Sequence, residues 1–303
     1  MSQLTVLVTG ASTGIGRLTA QTLADAGHTV YASMRDVAGH NAGNAAAVQQ
    51  YAQEKGVDLR VTELDVCDQE SVEEAAGRLL AAHDRIDVVV HNVGHMTVGP
   101  AEAFTPAQLA ELFDTNVLGA HRVNRAFLPR MRQEGAGLLV YVGSTTSRMI
   151  YPMLGPYCAV KAAFDTLAQA MRFELARYGI EVVTVMPGAF TTGTEHFPKA
   201  THPADTTTAD AYGELEGVPD TVTGALEAMT PPGAHPQAVA DEITRVVGLP
   251  AGSRPRSRPM VDFLHDGAEE INDTADALQA VLLERLSLAD LLTPHRPVTQ
   301  QTR

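Results

Sequence analysis

The strongest constraint on this chain is an alternation. Short apolar runs rich in Val and Leu take turns with longer stretches of helical periodicity from residue 4 to residue 188. "LTVLVTG" (4–10), "HTVYASM" (28–34), "DLRVTELDV" (58–66), "RIDVVVHN" (85–92), "GLLVYVGS" (137–144) and "IEVVTVMPG" (180–188) read as strands. Helical patterns occupy 14–27, 41–55, 68–83, 106–134 and 155–178 between them. Nearly continuous apolar strands are buried on both faces, as in a parallel sheet with helical crossovers. Right-handed crossovers then predict an α/β, doubly wound, mostly parallel sheet of about seven strands flanked by helices. The seventh strand is expected near 258–263, after a helix over 236–248.

The pattern breaks over 189–235, which is rich in Thr, Pro, Gly and Ala. A segment this long inside a compact domain reads as a substrate-covering loop. A further helix is predicted over 272–292, with Leu278, Val281, Leu282 and Leu286 on one face. That face is expected to pack on the body or on a partner subunit. The expected division is one domain over 1–264 and a C-terminal helical extension and tail over 265–303.

A formal net charge of −14 argues against non-specific binding to nucleic acid or to an anionic membrane. Two cysteines, Cys67 and Cys158, make neither a disulfide framework nor a metal cluster and suit a reducing cytoplasm. No apolar run has the length of a membrane span, and the N-terminal residues do not read as a signal peptide. The expectation is a cytoplasmic protein without metal.

"TGASTGIGR" (9–17) sits between a strand and a helix, which gives its glycines meaning. Gly10 allows a tight turn. Gly14 and Gly16 let a pyrophosphate approach the backbone and the free N–H groups of the helix N-terminus. Ser12 and Thr13 add hydroxyl donors beside Ile15. The spacing Gly-x3-Gly-x-Gly resembles that of the short-chain dehydrogenase/reductase family in its classical branch. The resemblance covers residues 4 to about 192 and implies a Rossmann-type nucleotide fold.

The resemblance carries further residues. Met34 stands where an acidic residue would hold both ribose hydroxyls and favour NAD(H), and Arg35 follows it. A guanidinium there could grip a 2′-phosphate, so the expected cofactor is NADP(H). The competing reading leaves Arg35 as surface charge and gives Asp36 the acidic role. Thr13, where NADP-preferring relatives often carry a basic residue, counts against NADP(H). By resemblance Asp65 meets the adenine amino group and Val66 packs near the ring. A loop aspartate capping the next helix is the alternative. "HNVG" (91–94) keeps Asn92 and Gly94 of the family's strand-end motif. Pro187, Gly188 and Thr192 match its Pro-Gly-x3-Thr, which meets the nicotinamide carboxamide or phosphates.

Carbonyl chemistry by hydride transfer needs a proton donor, a second hydrogen bond to the carbonyl, and proton resupply. Tyr157 and Lys161 lie four apart, on one helix face. A nearby ammonium is expected to lower the phenol's high ordinary pKa. Ser144, thirteen residues before Tyr157, matches the family serine that holds the substrate oxygen. Asn116 matches the asparagine that supports a water-mediated proton relay. By the same resemblance Lys161 binds the nicotinamide ribose. The implied activity is hydride exchange with a ketone or secondary alcohol in a homodimer or homotetramer formed through 106–134 and 155–178. A non-catalytic NADP(H)-binding sensor or scaffold is the alternative, and hydride transfer within a dehydratase or epimerase cycle is a third reading. Met149, Tyr151 and Met153 are candidate pocket walls, with Met96 and Thr97 beside them. His91 and Cys158 read as packing, and His95 as a solvated loop residue, with a place in the pocket wall as the alternative.

Overall fold

The computed structural model describes residues 3–255, 260–261 and 267–295. Seven parallel strands run in the order β3-β2-β1-β4-β5-β6-β7. They are β1 (Thr5–Val8), β2 (Thr29–Met34), β3 (Leu59–Glu63), β4 (Val88–His91), β5 (Gly137–Val142), β6 (Ile180–Pro187) and the two-residue β7 (Met260–Val261). The remainder of the strand expected over 258–263 lies outside the described residues. The crossovers up to β6 are α1 (Gly14–Asp25), α2 (Ala42–Lys55), α3 (Gln69–Ala82), α4 (Pro106–Phe113) with α5 (Gly119–Glu134), and α6 (Gly155–Ala176). Then come α7 (Thr206–Asp210), α8 (Val218–Met229), α9 (Gln237–Gly248) and, after β7, α10 (Ala268–Arg285).

Strand periodicity sorts the core into two layers. In β1, Val6 and Val8 face Leu23, Val48 and Ile243 of α1, α2 and α9. Leu7 points to the opposite side, among Leu79, Phe127 and Phe164 of α3, α5 and α6. Each such side chain contributes about 1.5–3 kcal/mol on burial. This fixes the strand register, because a one-residue slip would reverse both faces. Strand order reverses beside β1, so the segments leaving β1 and β4 turn to opposite faces of the sheet and leave a crevice between them.

Three expectations are corrected. The single helix over 106–134 is interrupted by a π-turn at Asp114–Leu118. The Asn116 amide bonds the Leu112 carbonyl at 3.0 Å and thereby enters the helix ladder. The 189–235 stretch is not one irregular loop, since α7 and α8 lie within it. The expected 272–292 helix begins at Ala268, ends at Arg285, and is followed by a 3₁₀ turn at Ala289–Leu292. Its Leu278, Val281, Leu282 and Leu286 face is exposed on this chain. α10 docks instead through buried Asn272, which accepts from Arg148 Nε at 2.8 Å.

Candidate active site

The crevice deepens into a cavity of about 650 Å³. Its floor is the glycine turn, with Ser12, Thr13, Gly14, Ile15 and Gly16 all facing it. A Cβ on Gly16 would collide with both the Gly10 carbonyl oxygen and Asn92 Nδ2. Gly10 adopts φ +66°, and a Cβ there would meet Val93 Cγ2 at 2.8 Å. Gly14, at φ +54°, has only Thr194 nearby, at 3.7 Å. The backbone is therefore bare toward the cavity at the N-terminus of α1. Thr13 supplies no side-chain cap to that helix, which leaves its first N–H groups to an anion. These features fit a dinucleotide's pyrophosphate.

Asn92 braces this turn. Its amide donates to the Thr9 carbonyl at 3.1 Å and to the Gly10 carbonyl at 3.0 Å. It lines the cavity while holding β4 against β1. Arg35 is exposed and also lines the cavity, just past buried Met34. Asp36 does not line it. Its carboxylate accepts from the His40 N–H at 2.6 Å, in a turn with Asp36 at φ +49°. The Asp65 carboxylate accepts from Cys67 N at 2.9 Å and borders the cavity beside Val66. Helix capping falls to Asp68, which receives Glu70 N and Ser71 N.

Ser144, Tyr157 and Lys161 converge at the other end of the cavity. Ser144 stands just beyond β5, where its Oγ accepts from Thr146 N at 3.2 Å and Thr146 Oγ1 at 2.9 Å. Lys161 Nζ lies 5.9 Å from the Tyr157 ring centroid and donates to the Val142 carbonyl at 3.2 Å. Asn116 accepts from His95 N at 3.1 Å and donates to the His95 carbonyl at 3.2 Å. A Cβ on Gly94 would stand 3.1 Å from Asn116 Oδ1 and 3.4 Å from Lys161 Nζ. Glycine at 94 thus keeps the space between those two groups open. Pro187 and Gly188, at the end of β6, complete this wall.

Residues 4–202 match the family model described as short chain dehydrogenase. The chain belongs to the short-chain dehydrogenase family. It is 31% identical over 188 residues to a 3-ketodihydrosphingosine reductase of Bacteroides thetaiotaomicron, covering 62% of this chain and 64% of that protein. The chain therefore spans just under two thirds of that curated relative. Among solved structures, it resembles a short-chain dehydrogenase from Streptomyces avermitilis, with TM-score 0.74 and 29% identity. That likeness covers 95% of this chain and 98% of that one. A variant of actinorhodin polyketide ketoreductase with NADPH matches with TM-score 0.72 and 25% identity, over 87% of this chain and 98% of that one.

In this short-chain dehydrogenase several residues sit differently from the sequence reading. Thr192 is exposed and outside the cavity lining, whereas Thr194, two positions on, lines the cavity opposite Gly14. Gly193, at φ +76°, lies in the bend between them. His95 is half-buried rather than a free loop residue. It lines the cavity and its Nε2 pairs with Thr201 Oγ1. Tyr151 lines the cavity, with Met96 and Thr97, but Met149 and Met153 do not. His91 is buried and bonded to Asn124 Oδ1 at 2.8 Å, and Cys158 is packed.

The electrostatics also differ from expectation. Burial holds the Tyr157 phenol well above its ordinary pKa, with its hydrogen bond to Ser144 pulling the other way. Burial lowers Lys161 to about 8. Desolvation disfavours both charged forms, and the phenol's pKa is raised where a lowering by Lys161 is expected. One contact had no sequence signal at all: His196 Nε2 lies 2.9 Å from Tyr157 Oη, with the rings edge-on at 5.4 Å. No motif includes position 196.

Among the described residues, no helix is long and apolar enough to cross a membrane, and no group of three or more His, Cys, Asp or Glu could hold a metal.

Proposed function

We propose that this protein is an NADP(H)-dependent oxidoreductase acting on a ketone or the corresponding secondary alcohol. The observation that carries this reading is one cavity shared by a bare glycine turn and the Ser144–Tyr157–Lys161 group. A bound nicotinamide would supply or accept the hydride at its C4 position. In reduction, hydride adds to the carbonyl carbon, the C=O π pair moves onto oxygen, and that oxygen takes the Tyr157 proton. Ser144 holds the oxygen in place. A buried phenol kept protonated suits the role of acid. Lys161 supports the phenolate that results and binds the nicotinamide ribose. Asn116 supports the relay that returns the proton, with Gly94 keeping the lane beside Lys161 open.

NADP(H) over NAD(H) is supported by Arg35 at the cavity rim and by the engagement of Asp36 in its own turn. The NADPH complex of the similar ketoreductase agrees. Asp65 and Val66 would flank the adenine. Asn92, Pro187 and Gly188 would shape the groove around the cofactor. A ketone substrate is also the reading that the names of both relatives favour.

The domain reading is one Rossmann-type unit over 1–264 with α10 as an appended element. The cytoplasm remains the proposed compartment. A homodimer or homotetramer through α4–α5 and α6 is supported by exposed Phe113 and Leu118, and light scattering of the full chain tests it.

The mechanism is tested by Tyr157→Phe. This variant is expected to keep NADPH binding, read by fluorescence, and to lose turnover by about 10²–10⁴-fold. Full activity in it would reject the assignment.

A further inference from the structure

The phenol of Tyr157 meets a second protein group that the family motif does not contain. His196 belongs to the strap over 190–201, which lines one side of the cavity. The strap is stitched down at its far end. Thr201 N donates to the Met96 carbonyl at 2.9 Å, and Val98 N donates to the Thr201 carbonyl at 3.0 Å. At its near end Thr194 Oγ1 donates to the Phe190 carbonyl at 3.5 Å and accepts from His196 N at 3.4 Å. His196 is thereby presented to Tyr157 Oη at 2.9 Å. Lys161 Nζ lies 5.9 Å from the Tyr157 ring centroid and donates to the Val142 carbonyl.

The direction of the His196–Tyr157 hydrogen bond decides what it does. If the imidazole accepted the phenol proton, that proton would point away from a substrate carbonyl. If the imidazole donates, the phenol keeps its proton free for the substrate oxygen. The bond then strengthens as Oη becomes anionic, so it favours the transition state over the ground state.

We propose that His196, as the neutral Nε2–H tautomer, is a positioning residue that donates to Tyr157 Oη and stabilises the phenolate left when Tyr157 protonates the substrate oxygen. The inference rests on the reading of Tyr157 as the acid. His196 itself moves no proton in this scheme. Burial, with Lys161 and His95 nearby, lowers it to about 3, so it stays neutral throughout the working range. The groups that face the pair are Ser144, Lys161 and His95.

The test uses the full chain with NADPH and a ketone that the wild type reduces. His196→Ala is expected to lower kcat by about 10–100-fold, the worth of one hydrogen bond to a charged group, with KM within about threefold. His196→Gln, which restores an N–H donor, is expected to recover most of that loss, and His196→Phe none of it. An unchanged or raised kcat in His196→Ala would overturn the proposal, because a strap that merely blocked the tyrosine would be relieved by truncation. A second measurement does not need turnover. Long-range ¹⁵N–¹H correlation spectra of the wild type, with His196 assigned from the His196→Gln variant, should show the proton on Nε2 and a shift of that signal in Tyr157→Phe. A proton on Nδ1 would overturn the proposal even if the Ala variant folds poorly. The two readings fail differently. An inactive wild type defeats the Tyr157 mechanism, whereas an active wild type unchanged by His196→Ala defeats only the role of His196.

Discussion

Ser144 and His196 reach the same phenol, and they are held there by different means. Ser144 follows β5, a buried strand paired on both sides, and its Oγ is fixed by Thr146. His196 hangs on a strap between β6 and α7, secured at its far end by backbone bonds of Thr201 to Met96 and Val98 and by the His95–Thr201 side-chain bond. The first position depends on a sheet whose register the core enforces. The second depends on loop closure over a cavity. The lower half of the site is therefore a frame that tolerates almost no change in volume. The upper half is a covering in which single side chains can be replaced and their contributions measured separately.

This contrast can be broken first at Gly16. A methyl group there collides with Asn92 Nδ2 and the Gly10 carbonyl, and neither the brace nor the backbone can retreat easily. Gly16→Ala should cost about 1–3 kcal/mol of stability or more and abolish measurable NADPH binding. Urea titration and fluorescence titration read the two losses. Normal stability with normal NADPH affinity would mean that the frame is not rigid.

A smaller effect is expected at the rim. Arg35→Ala should weaken NADPH by about 10–100-fold, the range for charge-assisted hydrogen bonds, and leave NADH nearly unchanged. Calorimetry with both nucleotides checks it. Equal losses for the two would return Arg35 to plain surface charge.

The smallest effect separates two neighbouring threonines of the covering. Thr194 lines the cavity beside Gly14 and Thr192 does not. Thr194→Val should weaken NADPH by about 2–10-fold, the worth of one neutral hydrogen bond, while Thr192→Val stays within about twofold. The opposite ranking, measured the same way, would restore the family motif's threonine at 192.

The frame was legible in the sequence because its signals are local. A strand pattern ending in Gly10, a serine just past β5, and Tyr157 and Lys161 one helical turn apart each specify position through short-range geometry. Seven parallel strands and the convergence of Ser144, Tyr157 and Lys161 follow from that reading. The π-turn at Asn116 was not legible. It arises from a side-chain bond to Leu112 and a tertiary tie to His95, and neither has a periodic signature. His196 and Thr194 were missed for the same reason. Where the strap lands is decided by Thr201 meeting Met96 and Val98, over a hundred residues earlier in sequence. Spacing shows the ammonium one turn from Tyr157 but not the burial that raises the phenol's pKa. The exposed face of α10 shows the converse limit, since helical periodicity identifies an apolar stripe without saying what covers it.

The central claim is that this cavity passes a hydride to a carbonyl carbon while Tyr157 supplies the proton. The direct measurement is incubation of the full chain with NADPH deuterated at both C4 positions and a panel of ketones, followed by mass spectrometry of the alcohols. Deuterium on the carbinol carbon with the wild type, and its loss with Tyr157→Phe that still binds NADPH, is the predicted result. Labelled alcohol formed equally well by Tyr157→Phe would contradict the account.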